Sequence, residues 1–94
     1  MNLKDIHTGD KALQTKKIFT AAEGVIALQI NAGSLLKEHV THIPALLTLV
    51  LGEVVFENEK GVKEILLPGD FINIEAHVKH WVNAVKDSNL LLIK

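Results

Sequence analysis

Four of the five histidines fall in two short clusters, His39 with His42 and His77 with His80. Imidazole is a common metal ligand and a proton carrier near neutral pH. His39 and His42 precede a dense apolar run, Ala45 to Leu51, that Gly52 closes. His77 and His80 follow the turn sequence Pro68-Gly69-Asp70. The chemistry within reach is therefore coordination of a divalent ion, hydrogen bonding to a small ligand, or proton transfer. The chain has no cysteine, which removes thiolate ligands, thiol nucleophiles and disulfides. Ser34 and Ser88 sit in turn sequences without a histidine at useful spacing, so nucleophilic catalysis is not expected. Glu38 adjoins His39, but side chains alternate along a strand and send it to the opposite face. Asp70 reads as a turn cap.

These groups need a scaffold, and the bulk numbers describe one. Ninety-four residues suit a single domain, 1–94. Hydrophobic residues make up 48%, ample for a core. Charged residues are 22% and the net charge is -1, which argues against a nucleic-acid footprint and against adhesion to anionic membranes. No apolar run approaches the ~20 residues of a membrane helix, and no signal-peptide pattern opens the chain. A cytoplasmic protein is the expectation. The hydrophobic pattern has period two, broken by turn signals every several residues, which predicts an all-β fold. Residues 1–15 read as an irregular N-terminal arm or a leading strand near Lys11-Ala12-Leu13. Strands are expected at Lys16 to Thr20, Val25 to Ala32, Ala45 to Leu51, Glu53 to Asn58, Val62 to Leu67, Phe71 to Ile74, His80 to Val85 and Leu90 to Ile93. Asn58 to Gly61 should form a hairpin turn, with Gly61 at positive φ. Asp87-Ser88-Asn89 reads as a further turn.

The order of elements and the motif residues resemble the cupin superfamily, small β-barrels of jelly-roll type. Its first motif is Gly, five residues, His-x-His, three or four residues, Glu, six residues, Gly. Gly33, His39 and Gly52 match it, while Thr41 takes the second His position and Ala45 the Glu position. Its second motif is Gly, five residues, Pro-x-Gly, two residues, His, three residues, Asn. Gly69 and His80 match it, while Glu75, His77 and Ala84 take the Pro, Gly and Asn positions. The resemblance implies a single-domain, cupin-like jelly-roll β-barrel that brings His80 across from His39. The usual cupin centre uses three histidines and a glutamate, and this chain keeps two of the four.

The ligand-binding residues expected on this basis are His39, Thr41 and His80, at an apolar barrel mouth that takes a small molecule. If a divalent metal binds, His39 and His80 hold it and His77 can swing in as a third ligand; zinc, nickel, iron and copper all accept imidazole. Parity points His42 outward, and His7 lies in the exposed arm. Trp81 should face away from the pocket, against another sheet or subunit. A homodimer is expected, because Ala45 to Leu51 is apolar on both faces and a small barrel has only one inside. Two rivals stand beside the binding protein: a metal-dependent enzyme of oxygenase, isomerase or lyase type, and a dimeric sensor or scaffold module. A barrel interior filled by Leu47, Leu49 and their neighbours would favour the last.

Overall fold

In the computed structural model, which describes residues 1–94, eight strands follow one another: β1 (Val25–Ile30), β2 (Leu35–His39), β3 (Ala45–Leu51), β4 (Val54–Asn58), β5 (Lys63–Leu66), β6 (Phe71–Ile74), β7 (His80–Ala84) and β8 (Ser88–Ile93). The only helical element is a 3-10 turn at Leu3–Asp5. Two antiparallel four-stranded sheets form, in the orders β1-β8-β3-β6 and β2-β7-β4-β5. Apart from the β4–β5 hairpin, chain neighbours lie in different sheets and distant strands pair. This is the jelly-roll arrangement of two interleaved Greek keys.

Period-two patterning explains the layers. Along β7, His80, Val82 and Ala84 are buried while Trp81 and Asn83 are half-buried. The same alternation places Val54 and Phe56 of β4 inward. Ile30, Leu47, Leu49, Leu66, Leu90 and Leu92 join them in a continuous apolar core between the sheets. Each such side chain contributes about 1.5–3 kcal/mol on leaving water.

β3 departs from simple alternation. Ala45, Leu47 and Leu49 belong to the core, yet Leu46, on the opposite face, is also only 1% exposed. The chain itself supplies a cover. Met1 and Leu3 hydrogen-bond along the edge of β6, to Phe71 and Gly69. Gly24 pairs with Lys94 beside β1, at the opposite edge of that sheet. The intervening segment runs from one edge of that sheet to the other, and Ile6, Ile18 and Phe19 within it are partly buried. The apolar excess of β3 that suggested a subunit contact is thus covered at Leu46 within the chain.

Several expected boundaries shift. Lys16 to Thr20 and Lys11 to Leu13 form no strand; they belong to the crossing segment, which has no ladder partner. Ser88 and Asn89 open β8 instead of forming a turn, and the bend moves back to Val85 and Lys86. Ser88 is held there because its Oγ bonds the Glu53 N–H at 3.1 Å and the Lys86 carbonyl at 2.7 Å. Gly61 takes φ 87°, as the hairpin requires.

Candidate histidine site

A β-bulge builds the site. β2 and β7 pair Leu36 with Val82 and His39 with His80. Between those pairs β2 spends Lys37 and Glu38, whereas β7 spends Trp81 alone. The extra residue rotates His39 to the inner face, where strict alternation from Leu36 would have put Glu38. The two rings then meet edge to face, with centroids 4.1 Å apart at 63° and Nε2 atoms 3.0 Å apart. His80 is only 1% exposed, and His39 is half-buried. Phe56 stacks on His80 with centroids 5.8 Å apart. Sequence reasoning did not single out Phe56, although its inward position in β4 follows from alternation.

Proton counting shows what this pair lacks. His80 Nδ1 lies 3.2 Å from the Val78 carbonyl, and His39 Nδ1 lies 3.0 Å from the Lys37 carbonyl. A carbonyl oxygen only accepts, so each Nδ1 must donate. Two neutral rings carry one N–H each, and both are then used. The two Nε2 lone pairs face each other across 3.0 Å with no proton between them. A shared extra proton or a cation would resolve the contact. Burial lowers the pKa of His80; the Val78 carbonyl pulls it upward, and His39 pushes it down again. The ring is thereby held in its neutral, lone-pair-bearing form.

The surroundings restrict what could enter. Leu47, Leu49, Phe56, Leu90 and Leu92 pack together in the core between the sheets.

A conserved protein of unknown function from Streptococcus pyogenes superposes with a TM-score of 0.70 at 20% identity, over 74% of this chain and 60% of that one. The cupin domain of Drosophila melanogaster CENP-C gives 0.69 at 22% identity, over 76% and 56%. A cupin superfamily protein from Desulfitobacterium hafniense gives 0.70 at 18% identity, over 100% of this chain and 87% of that one. The chain has the cupin fold. It spans less than two-thirds of the first two proteins' length. No family model matches it, and no curated protein does.

Ala45, at the glutamate position, and Ala84, at the asparagine position, are both packed into the core. Thr41, at the second histidine position, is 4% exposed, and its Oγ1 has no hydrogen-bond partner. Its carbonyl accepts the His77 N–H at 2.8 Å, which ties the two cluster loops together. His77 stands at a cupin glycine position and takes φ 64°, the left-handed conformation that glycine tolerates best. Its side chain is exposed and does not join the pair, and no three potential ligands gather anywhere in the chain. His42 points to solvent and lies 3.3 Å from Glu23. His7 and Glu38 are exposed. Trp81 faces outward, where its indole N–H donates to Glu57 at 2.6 Å; its polar contact is its own sheet. Asp70 caps the Pro68-Gly69 turn, accepting from the Leu67 N–H at 2.7 Å and from the Asn2 amide at 2.8 Å.

Proposed function

We propose that this chain is a binding module, not an enzyme, and that its site is the His39–His80 pair. The ligand is small: a divalent transition-metal ion with its waters. The observation that carries this is the pair of convergent Nε2 lone pairs 3.0 Å apart, each aimed by an Nδ1–H donated to a carbonyl. That is how metal-ligating histidines are usually oriented. Two nitrogens about 2.1 Å from one ion and roughly at right angles are about 3.0 Å apart, so the donor set fits. Zinc, nickel, copper and iron all accept it. Structural and catalytic centres use at least three protein ligands. Two histidines therefore suit an exchangeable ion; the buried, unpartnered Thr41 hydroxyl is the further contact proposed, with His77 free to approach from its loop. A bound ion would act as a Lewis acid, but no carboxylate stands beside the pair to serve as base, and the core side chains occupy the space between the sheets.

A second reading, a dimeric sensor or scaffold, is favoured by the filled interior. It leaves the outer surfaces as the means of recognition, and a bound ion as the signal. The structure of Drosophila CENP-C bound to CAL1, similar at 22% identity with a TM-score of 0.67, shows a protein of this fold in a protein complex. On both readings the chain works as a homodimer in the cytoplasm, where a chain without cysteines is at home.

Calorimetric titration of nickel(II) or zinc(II) into protein purified without a tag tests the site. One ion per chain is expected, and affinity should fall as pH drops below about 6.5, because only neutral imidazole ligates. The double variant His39→Ala/His80→Ala should lose binding and His42→Ala should keep it, both with an unchanged β spectrum. Binding that survives the double variant would remove the proposal, and so would no binding at millimolar metal.

A further inference from the structure

The two sheets have four edge strands, β1, β6, β2 and β5. Bare strand edges invite pairing with other chains, and proteins blunt them with cover, charge or bulges. Three edges here are blunted. β6 is capped by Met1 and Leu3, whose backbones bond Phe71 and Gly69. β2 carries the bulge and the charged Lys37 and Glu38. β5 has only four residues, and Lys63 and Glu64 are two of them.

β1 has none of these devices. Its sequence is Val-Ile-Ala-Leu-Gln-Ile, without charge, proline or glycine. It pairs with β8 through six unbroken positions, so no bulge twists it away. Val25 is 61% and Ile26 42% exposed, and Ala27 and Gln29 are exposed as well.

The free hydrogen-bonding groups can be identified. Gly24 and Lys94 exchange both backbone bonds. In an antiparallel ladder such pairs recur at every second residue. Ile26, Leu28 and Ile30 therefore turn their N–H and C=O groups to β8. Val25, Ala27 and Gln29 turn theirs to the open edge.

We infer that this edge pairs with β1 of a second copy, antiparallel about a two-fold axis at Ala27. The inference rests on the homodimer reading above and locates its contact. In that register Val25 lies opposite Gln29 of the second copy, Ala27 opposite Ala27, and Ile26 opposite Leu28. Every free N–H and C=O of the three outward residues finds a partner. Inner-face and outer-face side chains each stay on their own side, as sheet continuity requires. No like charges meet, because the strand has none and Glu23 falls opposite Asn31. The smallest side chain of the strand stands on the axis. The result is one continuous eight-stranded sheet.

Sedimentation of the full chain over a micromolar concentration series, with Ala27→Lys beside it, tests the assignment. Ala27 is exposed, so lysine there leaves the protomer intact while placing two ammonium groups together at the axis. The dimer dissociation constant should rise about tenfold or more. The Val25, Ala27 and Gln29 amides should be protected from hydrogen exchange in the dimer and exposed in the variant. Register has its own readout in a chain without cysteines. Ala27→Cys places two Cα atoms about 5.5 Å apart, within disulfide reach, whereas Val25→Cys leaves them about 14 Å apart. Only the first should cross-link on oxidation. A dimer indifferent to Ala27→Lys, freely exchanging edge amides, or equal cross-linking by both cysteines would overturn this contact and leave the dimer standing. A monomer at every concentration would overturn both and leave the edge to an extended strand of a different protein.

Discussion

Two Nδ1 atoms govern the site at the scale of single residues. The Lys37 and Val78 carbonyls fix the tautomer of His39 and His80 and leave their Nε2 atoms facing. For His80, burial lowers the pKa below the ordinary 6.5, against the pull of the Val78 carbonyl, and His39 lowers it further. The unfolded chain thus binds a proton on this residue more readily than the folded one. Its contribution to stability is complete above pH 6.5 and is lost as pH falls from there through the folded value. Urea melts in chelator should show a lower midpoint at about pH 5.5 than at about pH 7.5, with a slope from this group of at most ~1.4 kcal/mol per pH unit. His80→Leu should flatten that slope. A midpoint independent of pH in the parent chain would mean that His80 is charged or solvated in the folded state.

At the scale of elements, the β2 bulge aims the pair, and the β3–β4 turn is a separate fixed point of the fold. The turn depends on Gly52, which takes φ 96° and would press a Cβ into Ser88 and the Asp87 carbonyl. Ser88 cannot give way easily, since its hydroxyl is bonded to Glu53 and Lys86. Gly52→Ala should therefore cost about 2 kcal/mol or more, from left-handed strain and the collision together. Gly61 has a similar φ of 87° but open space around it. Gly61→Ala should cost only the backbone term, about 1 kcal/mol. Paired urea melts compare the two, and equal losses would show that the close packing under Gly52 relaxes freely. Asp70 is a further anchor, at the turn between β5 and β6. Burial raises its pKa, but the Leu67 N–H and the Asn2 amide outweigh that and leave it below 3.8. The stability it adds is present above pH 3.8 and fades as pH drops through the folded value.

For the molecule as a whole, the filled interior is the decisive feature. Phe56 is 1% exposed, belongs to the core and also stacks on His80. Phe56→Ala should open a cavity and cost about 3–5 kcal/mol. Against a total of about 5–15 kcal/mol, that loss should lower the thermal midpoint sharply. It should also loosen the wall behind His80 and weaken metal binding. A loss below about 1 kcal/mol would mean that the core is less tightly packed around this ring than its burial indicates.

Period two and its glycine turns determined the layers. A strand must send alternate residues to opposite faces, so the inward positions of Val54, Phe56, Val82 and Leu90 were legible before any pairing was known. The motif residues also pointed to the cupin fold and to the meeting of His39 with His80, because both sit at fixed offsets from turn glycines. Three things were not legible, and each depends on contacts distant in sequence. The bulge at Lys37 and Glu38 appears only when β2 is laid against β7, and it, not parity counted from His39, turns the ring inward. The burial of Leu46 on the outer face of β3 does not follow from the pattern of β3 or of the N-terminal segment, which reads as arm and strand. The closed interior is a matter of volume, and volume is fixed by which side chains from all the strands meet, not by any one strand's pattern.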